Sequence, residues 1–519
     1  MIPSFNTAGP CIPGEHYMIP PERRLSGMRR LIDEGKYFTL HAGRQTGKTT
    51  SAMWLVDELN RQGRYSAAWL DVQRAREEPD PGQAFQLVLG AFDNGFARDL
   101  PRLARPGRTA IKRLLEVPGS AIVEYLSFVA RRSSRPLVLF IDEADGLVGK
   151  AMLSFLTQLR EGYIARSKKP FPHSIALVGQ RQVRDYVLEQ KERQGLRWLG
   201  TTSPFNITAE ALTLASFTRD EVAELVGQHT AKTGQRFEPA AVESIYDLSR
   251  GHPWLVNAMA DQVVNRAVED RSVSVTPADV ESAKETLILQ RRTHIDSIVA
   301  RLREERVRRV VEPMLTGGSF ARDVLDDDLS YVAGLGLIAL REGKWVIANR
   351  IYAEVVPRAL TFVQQTSLDQ NPAWYVRSDG RLDIVKLMTA FQEFWRKDGH
   401  LAAEGFAYRE AGPHLLLRAF LQRVVNGGGR IEREYGLGRG ALDLMVFFKD
   451  ERFAIEVKLR RGRETEKDAL KQVSGYLERA GLKEGWLVLF DLRKRALWKK
   501  KLLRRHRKVR GKRVHVIGL

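Results

Sequence analysis

The segment Ala42-Gly43-Arg44-Gln45-Thr46-Gly47-Lys48-Thr49 decides the fold of the first part of this 519-residue chain. It follows the apolar run YFTLH (37–41) and precedes TSAMWLVDEL (50–59), which has the composition of a helix. A glycine-containing loop between a strand and a helix presents backbone N–H groups beside the positive end of the helix dipole. Such a loop binds the phosphates of a nucleoside triphosphate. The sequence therefore predicts that Lys48 reaches the β and γ phosphates and that the Thr49 hydroxyl binds Mg²⁺.

A second stretch, PLVLFIDEAD (136–145), predicts a buried strand that ends in two carboxylates. Ligands of open α/β sheets bind at the carboxyl ends of the strands. We expect Asp142 to hold Mg²⁺ and Glu143 to polarise the attacking water, which makes Glu143 the catalytic residue. Ala42 stands where the strictest form of the loop pattern has glycine. The predicted cofactors are ATP and Mg²⁺, with the nucleotide held by Gly43, Thr46, Gly47, Lys48, Thr49, Thr50 and Asp142.

The alternation of apolar runs with helical stretches predicts a multidomain α/β protein. The runs YFTLHA, SAAWLDV, PLVLFIDE and SIALVG are typical of buried strands in a parallel sheet covered on both faces. Helical periodicity follows over residues 217–266. We expect a P-loop core with an N-terminal extension over 1–210, a helical lid over 211–285, a winged-helix region over 286–362, a linker over 363–374 and an α/β domain over 375–519.

Charge favours a negatively charged partner, and composition favours an intracellular location. The net charge is +20, and +15 of it lies from Leu401 onward, which is the usual footprint of a nucleic-acid partner. The sequence contains no apolar run of about 18 residues, so no membrane span is expected. A single cysteine, Cys11, and an N-terminus without a leader pattern predict a cytoplasmic location. The ten histidines are scattered and show no metal-ligand spacing.

The first half of the chain resembles bacterial and archaeal AAA-like ATPases of the branch near the origin-recognition and STAND proteins. The resemblance is carried by AGRQTGKTT (42–50), LFIDEAD (139–145), SIALVGQR (174–181) and SRGHPWLV (249–256). It implies that Gln180 is a polar sensor near the γ-phosphate and that Gly251-His252-Pro253 packs near the adenine. It leaves the arginine finger open among Arg181, Arg184, Arg193 and Arg197.

The segment from 286 to 362 predicts helices followed by a β-hairpin at Glu342-Gly343, the order of a winged-helix module. Such modules often bind DNA through their second helix. Here that helix would present a row of carboxylates to the phosphates: Asp323, Asp326, Asp327 and Asp328. We therefore expect this region to pack between domains and not to bind DNA.

Two carboxylates and an amine form a second candidate site. The runs ALDLMVFF (441–448) and RFAIEVKL (452–459) predict a tight hairpin, and a turn near Asp450 places Asp443 opposite Val457. Glu456 and Lys458 share one strand face, whereas the register leaves the face of Asp443 open. Asp443 and Glu456 offer oxygen ligands to Mg²⁺, and Lys458 can orient or deprotonate a water that attacks a phosphodiester.

This pattern resembles the PD-(D/E)xK nuclease superfamily, and Gln472-x-x-x-Tyr476 resembles the matching motif of its RecB-like members. The resemblance implies that Asp443, Glu456 and Lys458 are catalytic and that Gln472 and Tyr476 contact the DNA backbone. The superfamily often has another acid on its first helix, but PHLLLRAFLQRVV (413–425) has none, and Glu410 only precedes it. The basic stretch after Asp491 ends in VHVIGL, so we expect it to return to the sheet edge and bind phosphates.

Taken together, the sequence predicts an ATPase joined to a Mg²⁺-dependent nuclease-like domain that binds nucleic acid, with DNA favoured. An ATP-regulated nucleic-acid-binding or signalling protein with an inactive nuclease fold is the alternative. An ATP-driven remodeller of protein partners is a third candidate. Oligomeric state is left open, and an ATP-dependent homo-oligomer is compatible with the resemblance.

Overall fold

The computed structural model divides the chain into two compact units. The N-terminal unit comprises Met1–Ser297 and Leu325–Tyr352, and the C-terminal unit comprises Ile298–Val324 and Ala353–Leu519. The structure describes residues 2–179, 208–290, 293–314, 326–360, 375–396, 413–414, 416–418, 420–421, 429–436, 441–460, 463–493 and 498–519. Several predictions fall outside these ranges: the sensor Gln180, the four arginine-finger candidates, Asp323, the 363–374 linker and Glu410.

The N-terminal unit is built on a five-stranded sheet in the order β2-β3-β4-β1-β5, in which all pairings are parallel. The four apolar runs of the sequence form the three inner strands β3, β4 and β1 and the edge strand β2, which confirms the predicted parallel sheet. β5 was not predicted, because its side chains alternate between exposed and half-buried and give no apolar run. The strands are β1 (Tyr37–His41), β2 (Ser66–Asp71), β3 (Leu137–Asp142), β4 (Ser174–Gly179) and β5 (Thr208–Thr213).

Helices cover both faces of this sheet. One face packs against α3, α5 and α6 through a cluster that includes Phe92 and Phe155, and the other packs against α1 and α2 through Ile32 and Leu55. Each fully buried side chain of this size stabilises the fold by roughly 1.5–3 kcal/mol. The helices are α1 (Ser26–Asp33), α2 (Lys48–Gln62), α3 (Pro81–Asp99), α4 (Arg108–Leu115), α5 (Pro118–Arg132) and α6 (Gly149–Ala165).

Four helices follow β5, in agreement with the helical periodicity of that segment. Capping boxes begin two of them, with Thr218 paired to Glu221 and Thr276 paired to Asp279. Proline occupies the first helical position of the other two, where its missing N–H costs nothing. The helices are α7 (Arg219–Thr233), α8 (Pro239–Ser249), α9 (Pro253–Gln262) and α10 (Pro277–Leu289).

The segment expected to form a winged helix is divided between the two compact units. It contains α11 (Thr293–Arg301), α12 (Glu305–Met314), α13 (Asp326–Gly334), β6 (Ile338–Arg341), β7 (Lys344–Ile347) and α14 (Arg350–Leu360). The predicted hairpin is confirmed: Arg341 pairs with Lys344, and Glu342 and Gly343 both have positive φ, at 49° and 73°. Two consecutive positive φ values are the geometry of the tight turns that join antiparallel strands.

The C-terminal unit is built on a mixed six-stranded sheet in the order β12-β13-β11-β10-β9-β8. The pairs β10·β11 and β11·β13 are parallel, and the other neighbours are antiparallel. The expected return of the chain to the sheet is confirmed: the basic β12 is the edge strand and the apolar β13 lies inside it. The strands are β8 (Gly429–Gly436), β9 (Ala441–Phe448), β10 (Glu451–Leu459), β11 (Glu484–Phe490), β12 (Leu503–Val509) and β13 (Lys512–Gly518).

Helix α16 (Arg463–Arg479) crosses between β10 and β11 and packs on one face of this sheet through Val473 and Leu477. Helix α15 (Ile384–Phe394) contributes Phe391, which meets Phe490 of β11 edge-on. A short α17 (Trp498–Lys501) precedes β12. Across the described parts of both units, no helix is long and apolar enough to cross a membrane.

Candidate functional site

The loop between β1 and α2 depends on glycine at two positions for different reasons. Gly47 begins α2 with φ of 89°, a left-handed conformation that glycine adopts without a steric penalty. Gly43 needs space: a Cβ there would lie 2.9 Å from the carbonyl oxygen of Leu335, in the turn between α13 and β6. Gln45 also has a positive φ, of 56°. The loop backbone is therefore held in an open curve at the start of a helix, as phosphate binding requires.

Lys48 lies inside this curve. Its Nζ donates hydrogen bonds to the carbonyl oxygens of Ala42 and Gly43, each at 2.8 Å, and the Thr46 hydroxyl donates to Gly43 at 3.0 Å. Burial lowers the pKa of the Lys48 ammonium, and Asp142 opposes that effect. A buried cation that bonds only to loop carbonyls and faces a cavity suits an anionic ligand such as a triphosphate.

Asp142 and Thr49 meet as the sequence predicts. The Thr49 hydroxyl donates to Asp142 Oδ2 at 2.7 Å, and the indole of Trp69 donates to the same oxygen at 3.1 Å. Burial raises the pKa of the Asp142 carboxyl, whereas these hydrogen bonds lower it. A hydroxyl beside a nearly buried carboxylate is a set of hard oxygen donors, and it fits Mg²⁺.

Glu143 is next to this pair but is held by a residue that the sequence did not indicate. It has φ of 56°, and its carboxylate forms an ion pair with Arg76, which follows the short turn after β2. Burial and then Asp145 raise the pKa of Glu143, and Arg76 lowers it. Arg76 lies 67 residues earlier in the chain, so no local pattern could reveal the contact.

These groups open into a cavity of about 480 Å³. The N-terminal extension reaches it: Gly9 and Pro10 line the cavity, and the Cys11 amide donates to the Thr50 hydroxyl at 3.0 Å. Thr50, expected to bind nucleotide, thus also anchors this extension. The lining residues are Gly9, Pro10, Arg44, Gln45, Gly47, Lys48, Thr49, Thr50, Trp69, Asp71, Gln73, Asp142, Glu143 and His294.

A second cavity, of about 450 Å³, lies beside the Gly-His-Pro element. His252 lines it together with Gly43 and Thr46. Gly251 has φ of 73°, and a Cβ there would lie 1.9 Å from the Phe217 carbonyl oxygen, so only glycine fits. The element expected near the adenine is therefore adjacent to the phosphate loop.

The hairpin of β9 and β10 brings the second candidate cluster together. A two-residue turn at Lys449-Asp450 pairs Leu444 with Ile455, and continuing that register places Asp443 opposite Glu456. The expectation that Asp443 faces Val457 was wrong by one residue, because the turn centre lies between residues 449 and 450. Paired residues share a sheet face, so both carboxylates and Lys458 lie on one side.

The contacts agree with this register. Lys458 Nζ lies 2.6 Å from Glu456 Oε1 and 4.0 Å from Asp443 Oδ2, and the Val457 amide donates to Asp443 Oδ2 at 2.8 Å. Glu456 is fully buried, whereas Asp443 and Lys458 are partly exposed. Burial and the neighbouring Asp443 raise the pKa of Glu456 to about 7, against the effect of Lys458. Burial lowers the pKa of Lys458. The neighbouring carboxylates, first Glu456 and then Asp443, outweigh this effect, so the pKa is raised overall.

Two carboxylates alone make an incomplete metal site. Within the described ranges, no three His, Cys, Asp or Glu side chains are grouped so as to hold a metal ion. The donor chemistry of Asp443 and Glu456 fits Mg²⁺, with the remaining ligands to come from backbone, water or substrate oxygens.

Gln472 and Tyr476 are joined on α16 by a hydrogen bond of 2.7 Å from the Gln472 amide to the Tyr476 hydroxyl. Gln472 is exposed, whereas the Tyr476 ring is buried in the core and its hydroxyl contributes to the raised pKa of Lys458. The pair therefore lies beside the carboxylate cluster, with only Gln472 open to solvent.

Comparison of the chain with protein families and with curated proteins gives two findings. Residues 383–494 match a family described as Domain of unknown function (DUF8371), which covers less than half of the chain. No curated protein matches the chain.

Three of the solved structures that match part of this chain each have a TM-score below 0.5. The Walker-type ATPase paby2304 of Pyrococcus abyssi is 13% identical, with 68% of this chain and 99% of that chain covered and a TM-score of 0.47. Cdc6p of Pyrobaculum aerophilum is 14% identical, with 69% and 97% covered and a TM-score of 0.36. The RuvB Holliday junction branch migration motor of Thermotoga maritima is 18% identical, with 65% and 93% covered and a TM-score of 0.32. By its own sheet order, glycine loop and acidic strand end, the N-terminal unit is an α/β domain of the P-loop type.

Proposed function

We propose that this protein is a Mg²⁺-dependent, AAA-like ATPase and that its C-terminal unit is a metal-dependent DNA nuclease. The ATPase part is supported above all by the cluster of Lys48, Thr49, Asp142 and Glu143 around one cavity. A lysine, a hydroxyl and two acids at these positions are the protein groups that bind the phosphates and Mg²⁺ and orient the attacking water in phosphoryl transfer.

In this proposal each side chain has one role. Lys48 exchanges its two loop carbonyls for the β and γ phosphate oxygens. Thr49 and Asp142 would hold Mg²⁺, which would supply charge neutralisation at the phosphates. Glu143 orients the attacking water and accepts its proton, and its Oε2 must leave Arg76 if that is the oxygen that binds the water.

Phosphate release from ATP by the full-length protein in Mg²⁺ tests the ATPase. The wild type is expected to hydrolyse ATP, and Lys48→Ala to lose nucleotide binding and with it hydrolysis. Lys150→Ala, at an exposed position in the first turn of α6, is the matched control and is expected to behave as the wild type. Absence of hydrolysis in the wild type, or full activity in Lys48→Ala, would refute the proposal.

The nuclease part is supported by the convergence of Asp443, Glu456 and Lys458 on one strand face. Asp443 and Glu456 would hold a divalent cation, which supplies Lewis-acid activation of the scissile phosphate. Lys458 would then turn from Glu456 to the attacking water. The edge strand β12 adds exposed cations for the DNA backbone: Arg504, Arg505, Arg507 and Lys508.

Cleavage of linear, circular and single-stranded DNA in Mg²⁺ or Mn²⁺ tests this part. Lys458→Ala is expected to abolish cleavage, and Lys483→Ala, an exposed lysine just before β11, to preserve it. Cleavage that survives in Lys458→Ala would assign the activity to another site. ATP is included in half of the reactions, since we propose that ATP hydrolysis controls cleavage.

A second candidate function is ATP-regulated binding of nucleic acid without cleavage. It is favoured by the grouping of two acids, and not three, among the described residues of the cluster, and by the tight Lys458–Glu456 pair. Retained DNA binding with no cleavage in any metal, and with ATP hydrolysis intact, would establish it. An ATP-dependent homo-oligomer is a further proposal, tested by the molar mass of the protein in solution with and without ATP.

A further inference from the structure

His294 is a buried polar residue that the roles above do not use. It lies in the first turn of α11, is only 4% exposed, and lines the 480 Å³ cavity with Lys48, Thr49 and Arg44. Its Nδ1 atom is fully buried and has no hydrogen-bond partner among the described residues. An unpaired buried donor or acceptor costs about 1–3 kcal/mol, so a folded protein rarely retains one without a use.

Aromatic packing holds the ring in place. The His294 ring stacks on Trp254, with centroids 4.9 Å apart and planes at 29°, and its other neighbour is His252 at 4.7 Å. Trp254 is itself fixed, because its indole donates to the carbonyl oxygen of Thr7 at 2.9 Å. The ring therefore has little freedom to turn its Nδ1 toward another partner.

The hydrogen bond between Tyr352 and His294 is linked to which ring nitrogen of His294 carries the proton. The Tyr352 hydroxyl lies 2.6 Å from His294 Nε2. The Asn349 side chain is engaged elsewhere, since its Oδ1 accepts the backbone N–H of Tyr352 at 2.9 Å. When the Tyr352 hydroxyl donates to Nε2, the proton of the neutral imidazole resides on Nδ1.

The electrostatic surroundings keep this imidazole neutral. Burial lowers the pKa of His294 well below its ordinary value, and the neighbouring His252 and Arg44 lower it further. A neutral ring with Nε2 as acceptor has a single N–H donor. That donor is then Nδ1–H, the group without a partner among the described residues, on a residue that lines the same cavity as the phosphate loop.

We propose that the Nδ1–H group of His294 donates a hydrogen bond to the phosphate chain of the bound nucleotide, while the Tyr352 hydroxyl donates to Nε2 and so fixes the tautomer. This inference rests on the proposed ATP site and adds to it a contact from outside the P-loop core. The phosphate chain is the matching acceptor, because Lys48 and Thr49 place it in the same cavity and because anionic oxygens bind N–H donors most strongly.

The test measures ATP affinity of the full-length protein by calorimetry in Mg²⁺. His294→Phe keeps a ring against Trp254 but removes the donor, and we expect it to weaken ATP binding about tenfold or more. Tyr352→Phe keeps the donor and its packing but frees the tautomer, and we expect a loss of about threefold. Lys48→Ala is the reference for loss of the whole site, and thermal unfolding of each variant verifies the fold.

The outcomes separate this inference from the proposed function. If the wild type binds no ATP, both fail together. If the wild type binds ATP, Lys48→Ala does not, and both His294→Phe and Tyr352→Phe bind as the wild type does, only the role of His294 is overturned. If His294→Phe does not fold, Tyr352→Phe decides: the threefold loss supports the contact, and unchanged affinity overturns it.

Discussion

Arg76 and Glu143 form an ion pair beside the cavity of about 480 Å³, which Glu143 lines and Arg76 does not, so the carboxylate that we assign to the attacking water is itself held by a cation. Arg76 follows β2 in the chain and Glu143 follows β3. These two strands are parallel neighbours, and they end where Asp71 pairs with Asp142. The acid cannot engage both Arg76 and a water at once with the same oxygen. Under the proposed role of Glu143, breaking this pair would add to the activation energy of hydrolysis if the water binds the oxygen that contacts Arg76.

Arg76→Ala should accelerate ATP hydrolysis. A half-exposed ion pair of this kind stabilises by at most about 1 kcal/mol, which corresponds to a rate increase of about fivefold. ATP affinity should be unchanged, because Arg76 does not line the cavity. Steady-state phosphate release measures the effect, with exposed Arg74→Ala as the control. A slower Arg76→Ala enzyme would show that Arg76 assists catalysis.

Gly43→Ala should destabilise the N-terminal unit. The added Cβ would lie 2.9 Å from the Leu335 carbonyl oxygen, and relief of that clash moves backbone on one side or the other. We expect a loss of about 1–3 kcal/mol in the free energy of unfolding, together with weaker ATP binding. The measurement is denaturant unfolding.

Gly90→Ala is the matched control for that substitution. Gly90 lies inside α3 with open space around its Cβ position, so alanine there should stabilise the protein by about 0.5–1 kcal/mol. Equal stability of the Gly43→Ala variant and the wild type would contradict the close approach of the two turns.

The stability of the N-terminal unit should fall as the pH drops below 6.5. Burial lowers the pKa of His252 to about 4, so the unfolded chain binds a proton that the folded chain refuses. The stability is complete above the unfolded pKa of 6.5 and is lost as pH falls toward 4. For His252 alone the loss between pH 7.5 and pH 5 is about 2 kcal/mol.

Denaturant unfolding at several pH values measures this loss. His252→Asn should show a shallower fall than the wild type, since asparagine does not titrate. His506→Asn, at an exposed position in β12, should leave the curve unchanged. Identical pH dependence of the wild type and His252→Asn would remove His252 as the cause.

DNA binding should depend on salt through the edge strand β12. Arg507 and Lys508 are exposed and make no ion pair or side-chain hydrogen bond within the described residues. Each phosphate contact releases about 0.9 of a counterion, so Arg507→Ala with Lys508→Ala should reduce the slope of log K against log salt by about 2. Lys483→Ala is the control. An unchanged slope would place the DNA on another surface.

The parts of this structure that local sequence patterns specify were predictable. β1 to β4 are continuous apolar runs because both faces of their sheet are covered, and the loop before Lys48 and the acids after β3 lie at strand ends. β5 escaped prediction because an edge strand with half-exposed side chains lacks such a run. The predicted Glu342-Gly343 hairpin formed because two residues that tolerate positive φ join its strands.

Contacts between distant segments could not be predicted in this way. Arg76 reaches Glu143 and His294 reaches the phosphate cavity only after the chain has folded back, and neither belongs to a recognisable local pattern. For Asp443 the predicted strand register was wrong by one residue. The turn is centred half a residue earlier than expected, so Glu456 and not Val457 lies opposite Asp443. The sequence pattern grouped Asp443, Glu456 and Lys458 but did not fix the register of Asp443.

The most direct test of the central claim separates ATP binding from ATP hydrolysis at Glu143. The full-length wild type and Glu143→Gln are compared by ATP calorimetry and by single-turnover phosphate release in Mg²⁺. The account predicts that Glu143→Gln binds ATP with at least the affinity of the wild type but releases phosphate about 100-fold more slowly or worse. Equal rates of phosphate release in the two proteins would contradict it.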